Sequence, residues 1–208
     1  MKLIQKFVNE QTAKAASLFM RFVCYLVIVF SLVCLVLSFM GRQTFTLRTR
    51  EDTYEHAIYA EENHEPHSRG LTVSMGDYIR VKSNTDNEID FTTHIGLSLM
   101  FAAHVVPMIF ATWFLSCVFT NVYKGRIFTE QNAKHLLYYG LLQFFTAIFV
   151  PFLKLLICYL TNLVSRSQII MSTGQNMFNL MVPSIAFLVA AYIIHHGIHL
   201  QDEVDHTL

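Results

Sequence analysis

Residues Phe22 to Met40 read FVCYLVIVFSLVCLVLSFM, an uninterrupted run without a single charge. At 1.5 Å of rise per residue such a run spans about 28 Å as a helix, close to the roughly 30 Å thickness of a bilayer's hydrocarbon core. A cleaved secretory leader would carry an apolar region of only about 7–15 residues before a small-x-small site. Here the run is longer and closes on Ser38-Phe39-Met40-Gly41. It therefore reads as an uncleaved membrane helix.

Working outward, three further apolar blocks of similar length follow, over residues 95–120, 135–160 and 177–200. Only 14% of the chain is charged, against about 25% in a soluble domain, and 53% is hydrophobic. The apolar residues are gathered into blocks, which points to spans and not to a globular core. The expected architecture is an all-α integral membrane protein: four transmembrane helices with a small β-containing extracytoplasmic insert between helices 1 and 2. Residues 1–21 carry Lys2, Lys6, Lys14 and Arg21 against Glu10 and repeat apolar side chains at helical spacing, as an amphipathic interfacial segment does. Span 22–40 follows, then the insert 41–94, span 95–120, a cytoplasmic connection 121–134, span 135–160, an outer connection 161–176, span 177–200 and an acidic tail 201–208. Within the insert, Thr44 to Arg48 and Leu71 to Val81 alternate apolar and polar residues in the manner of strands.

Four spans put both termini on one side. The amino-terminal segment and the 121–134 connection, with Lys124, Arg126 and Lys134, are base-rich, whereas 161–176 holds only Arg166. Counted over short segments, this bias places the termini in the cytoplasm. The insert's six bases run against it, although ten acids leave that segment net negative. The formal net charge is zero, so no global field points to direct nucleic-acid binding. Cys24, Cys34, Cys117 and Cys158 all fall in apolar blocks, which argues against a disulfide framework outside the membrane.

Candidate residues gather in three places. In the 121–134 connection, Gly125 permits a turn, Phe128 is placed to staple the next helix, and Thr129 is placed to cap it, with Glu130 at the positive end of its dipole. A capped turn accounts for all of them; a docking or signalling surface is the functional alternative. Near the carboxy terminus, His195, His199, Asp202 and His206 recur at steps of four, three and four, so one helical stripe could present them to zinc or a similar metal. The competing reading is a histidine-rich interfacial collar, and no cofactor is expected. Inside the spans lie His104 and Lys154. An ionisable group at the depth of His104 is a candidate for a proton or ligand pathway; the alternative is a neutral imidazole bonded to a neighbouring helix. Lys154 stands near its helix end, where its stem can snorkel to the outer interface. Walker loops, Gly-x-Ser-x-Gly elbows and Cys-x-x-Cys pairs are absent, so none of the familiar enzyme signatures is present.

Two segments together resemble a bacterial membrane family of unknown function, DUF2975. One is Gly125-Arg126-Ile127-Phe128-Thr129 followed by Asn132 and Leu136, similar to a Gly-x-x-Phe-x-x-x-Asn signature. The other runs from Gly197 through Leu200, Gln201, Asp202, Glu203 and Asp205 to Thr207, similar to a closing Gly-x-x-Leu-Gln-x-Glu-x-Asp-x-Thr pattern. The terminal histidines are not part of that pattern. The resemblance implies a four-helix inner-membrane protein and, as a partner, a cytosolic helix-turn-helix regulator.

The function expected is that of a non-enzymatic sensor or regulatory partner of a cytosolic protein, embedded in the lipid bilayer of the bacterial inner membrane. A small transporter, permease component or self-protection protein is the alternative. A pathway along His104, Pro107 and Pro151 would then require a homo-oligomer, since four helices alone enclose little space. A metal or haem redox component built on the terminal histidines is a third reading.

Overall fold

The computed structural model describes residues 10–42, 44–48, 53–57, 78–82, 89–172 and 177–207. Among the described residues four helices dominate: α1 (Glu10–Phe39), α2 (Phe91–Tyr123), α3 (Glu130–Val164) and α4 (Met177–Thr207). Each holds a stretch long and apolar enough to cross a membrane. The described strands are β1 (Thr44–Arg48), β2 (Thr53–Ala57), β3 (Tyr78–Lys82) and β4 (Gln168–Ser172). Of the run Leu71 to Val81, only the end falls in β3; residues 71–77 lie outside the described residues.

The helix ends follow from local chemistry. Both α1 and α2 stop on a glycine in the left-handed region, Gly41 at φ 75° and Gly125 at φ 76°. After α1, the Gly41 N–H donates to the Ser38 carbonyl at 3.1 Å and the Arg42 N–H to the Leu37 carbonyl at 2.9 Å. After α2, Gly125 donates to Val122 at 2.9 Å and Arg126 to Asn121 at 3.0 Å. This paired return is the Schellman motif, which satisfies carbonyls the helix leaves without partners. Asp90 begins α2, its carbonyl accepting the His94 N–H at 3.1 Å. The helices overrun the apolar blocks: α1 already begins at Glu10, among residues such as Ala13, Lys14 and Ala15 that favour helix, and α4 continues past Leu200.

The chain forms two compact units. The first comprises residues 1–30, 107–147 and 177–208. Its core joins Val118, Leu136 and Ala191, with Phe187 and Ile194 packed against them. Here α3 meets α4 closely, because Gly140 has no side chain: a Cβ there would stand 2.9 Å from Leu188 Cδ2 and 3.2 Å from the Leu188 nitrogen. The second unit comprises residues 31–106 and 148–176. It holds the sheet, in the order β2-β1-β3-β4, with β1 and β3 parallel and the other pairs antiparallel. Val81 of β3 and Ile169 of β4 pack with Leu97, Met100 and Cys158 of the helices. Gly96 does for α2 and α3 what Gly140 does in the first unit, since a Cβ there would overlap Thr161, 2.6 Å from its Cγ2.

Candidate functional site

The connection between α2 and α3 is built around one buried amide. Asn132 is 0% exposed. Its Nδ2 donates to the Arg126 carbonyl at 2.7 Å and the Ile127 carbonyl at 2.9 Å, while its Oδ1 accepts from Asn121 Nδ2 at 2.8 Å. Thr129 caps α3: its carbonyl takes the Ala133 N–H at 3.1 Å and its Oγ1 the Asn132 N–H at 3.3 Å. Each polar group of the Asn132 side chain thus has a partner, and the loop backbone is pinned from inside.

What this scaffold presents outward is apolar and basic. Ile127 is 45% and Phe128 57% exposed, and Lys124 and Arg126 are exposed beside them. Glu130, an acid at the start of α3, is bridged to Lys134 at 3.1 Å, so the tip of the loop keeps its positive charge. The Phe128 ring lies against α4, where a Cβ on Gly197 would sit 3.7 Å from Cδ1 and 3.8 Å from Cε1. The two sequence segments singled out above therefore touch. Gln201 and Glu203 belong to α4 as backbone, but their side chains lie outside the described residues, as do those of His199, Asp202 and His206. His195 is exposed on α4. Among the described residues no group of three or more His, Cys, Asp or Glu is gathered to hold a metal ion.

In the second unit, His104 is half-buried on α2. Lys154 is only 2% exposed, so its ammonium is enclosed by protein and does not snorkel outward as its position near a helix end suggested. Sequence reasoning passes over His94, because the apolar block 95–120 begins just after it. With α2 starting at Phe91, His94 stands in the first turn and is buried. Its Nε2–H donates to the Ser38 carbonyl at 2.9 Å, and Ser98 Oγ donates to the same oxygen at 3.0 Å. The signal that could have found it is the helix start itself, Asp90 followed by Thr93. Thr93 Oγ1 donates to Asp90 Oδ1 at 2.6 Å, and the Ser165 hydroxyl reaches the same oxygen at 2.9 Å and also meets Thr93. Burial pushes the Asp90 carboxyl upward, but hydrogen bonds from Thr93, Ser165 and Ser167 outweigh it and hold the group below its ordinary range.

The family model described as "Protein of unknown function (DUF2975)" matches residues 56–208. The chain belongs to this family. No curated protein and no solved structure matches it. The DUF2975 match takes in α2, α3 and α4 whole, and with them both the Asn132-braced loop and Gly197.

Proposed function

We propose that this DUF2975 member is a multi-pass protein of the bacterial inner membrane, with both termini in the cytoplasm, that acts as a non-enzymatic regulatory partner of a cytosolic protein. The membrane reading is supported by the four apolar helices and by their exposed side chains; on α1 alone Phe19, Phe22, Val29, Phe30 and Val33 face outward. Apolar surface on this scale is stable when hydrocarbon covers it. The orientation is supported by the bases of residues 1–21 and 121–134.

The observation that carries the partner reading is the loop. A fully buried asparagine fixes its backbone, yet the side chains it holds up, Ile127 and Phe128, are large, apolar and exposed, next in sequence to the exposed bases Lys124 and Arg126. Rigid apolar anchors with a charged rim are what protein interfaces use. The outer insert would then supply the signal and the loop its readout, with a helix-turn-helix regulator as one candidate for the partner.

The test is a mild-detergent pull-down of the tagged protein at native expression from its own cells, comparing the wild type with Phe128→Ala and Ile127→Ser. A cytosolic protein retained by the wild type and lost from both variants, at equal membrane insertion, supports the reading. Equal capture by all three, or no cytosolic protein at all, overturns it.

A further inference from the structure

One row of side chains joins α1 to α2 within the first unit. The guanidinium carbon of Arg21 stands 5.4 Å from the centre of the Tyr25 ring, one turn further along α1. That ring in turn meets Trp113 of α2 edge-on, with centroids 6.4 Å apart and planes at 75°. Tyr25 is 37% and Trp113 50% exposed, and Arg21 is half-buried. Among the described residues, none of these three side chains has a hydrogen-bond acceptor or a carboxylate partner. The guanidinium keeps its N–H edge open while its charge rests on a ring, and the phenol O–H and indole N–H are donors beside it.

Arg21 is the last charge before the apolar run Phe22 to Met40, so in a spanning α1 it stands at the rim of the hydrocarbon. Tyr25 lies about 6 Å deeper. One turn from Tyr25 and one turn from Trp113, Val29 and Phe110 are exposed apolar side chains. The acids of the same unit stand elsewhere. Glu10 opens α1 about 16 Å before Arg21, Glu130 is bridged to Lys134, and Asp202, Glu203 and Asp205 follow Gly197 in the last turns of α4. We propose that Arg21, Tyr25 and Trp113 bind one anionic glycerophospholipid of the leaflet on the amino-terminal side. The guanidinium holds its phosphate, and the phenol and indole donate to its ester oxygens one turn deeper. Its acyl chains cover Val29 and Phe110. An anionic headgroup is the fitting class because a zwitterionic one brings an ammonium of its own against Arg21. The inference rests on the membrane reading of the helices and is independent of the partner-docking loop.

Trp113 is the single tryptophan of the chain, so its fluorescence reports on this row alone. The experiment reconstitutes the full-length protein in vesicles of phosphatidylcholine and phosphatidylglycerol, with bromine on the acyl chains of one lipid at a time to quench an indole it touches. The expected result is that phosphatidylglycerol is preferred at Trp113 by about fivefold over its share of the bilayer, as one base near a membrane surface supplies. Arg21→Gln brings the preference to about one, while Lys134→Gln, a base outside the row, leaves it unchanged. A wild type without preference overturns the site, as does a preference that Arg21→Gln retains or that Lys134→Gln abolishes equally. Quenching by neither brominated lipid would overturn the membrane reading itself, and the site with it.

Discussion

The ring of Phe128 rests on Gly197, within 3.8 Å of the point where a side chain on that helix would begin. Two segments nearly seventy residues apart in sequence are thereby brought into contact. The spacing is that of an ordinary van der Waals contact, so a methyl group fits. Gly197→Ala is expected to leave Tm unchanged or raise it, since alanine is favoured over glycine inside a helix by about 1 kcal/mol. Gly197→Phe is expected to lift the Phe128 ring away and to weaken partner capture as Phe128→Ala does, while membrane insertion stays normal. Parallel pull-downs and unfolding curves check both outcomes.

Asn132 tests the loop from beneath. Truncation to alanine strands the carbonyls of Arg126 and Ile127 and the Asn121 amide, all now served by one side chain. The expected loss is about 1–3 kcal/mol, the usual range when removal of one partner leaves hydrogen-bonding groups unmatched. Asn132→Asp should be at least as damaging, because a carboxylate cannot donate to the two carbonyls and repels them. Thermal unfolding in detergent reads both; a fall in Tm no greater than that of an exposed substitution such as Gln131→Ala would show that the loop does not depend on this amide.

How much of this was legible in the sequence depended on whether local chemistry or tertiary packing decides. The four apolar blocks could be read because the bilayer sets a length that few other contexts require. Thr129 could be read as a cap because the N-cap preference is local, and Gly125 as a turn because the left-handed region is nearly closed to other residues. Asn132 looked like a motif position; that its amide would fold back on two carbonyls depends on the loop's path, which no residue type announces. Lys154 was misjudged because snorkelling was argued from distance to a helix end, whereas the packing of its neighbours encloses it. His94 was missed through an error of one turn in the start of α2, since helix starts set by a polar cap lie outside any hydropathy window. The strand β4 lies in a connection read as loop, and its pairing with β3 is a contact between distant segments.

Asp90 carries the clearest pH dependence. Its folded carboxyl titrates below the ordinary carboxylate value because three hydroxyl-bearing residues favour the charged form over the penalty of burial. A depressed folded pKa stabilises the protein above the unfolded value of about 3.9, and that contribution is lost as pH falls through the folded one. Wild-type Tm should therefore drop on acidification below about pH 4. Asp90→Asn should flatten this part of the profile, and Asp90→Ala should in addition lower stability at neutral pH by about 1 kcal/mol, because the hydroxyls of Thr93 and Ser165 lose their acceptor. Identical acid profiles for wild type and Asp90→Asn would refute the assignment.

Gly96 and Thr161 fix the approach of α2 to α3, and their coupling can be measured. A methyl group at Gly96 would overlap the Thr161 side chain, 2.6 Å from Cγ2 and 2.9 Å from Cβ. Thr161 cannot simply turn aside, because its Oγ1 donates to the Ile157 carbonyl at 2.8 Å and the residue is buried. Gly96→Ala is therefore expected to destabilise by about 1–3 kcal/mol, the usual range for overpacking a tight contact. Thr161→Ala removes the two nearest atoms and leaves only Cβ to be accommodated by a small shift of the helices. The double variant should then lose clearly less than the sum of the two single losses, giving a coupling of about 1 kcal/mol or more between residues in direct contact. Strict additivity would mean that the two helices separate under the added methyl group on their own, and that the close approach seen at Gly96 is not what holds the register of α2 against α3.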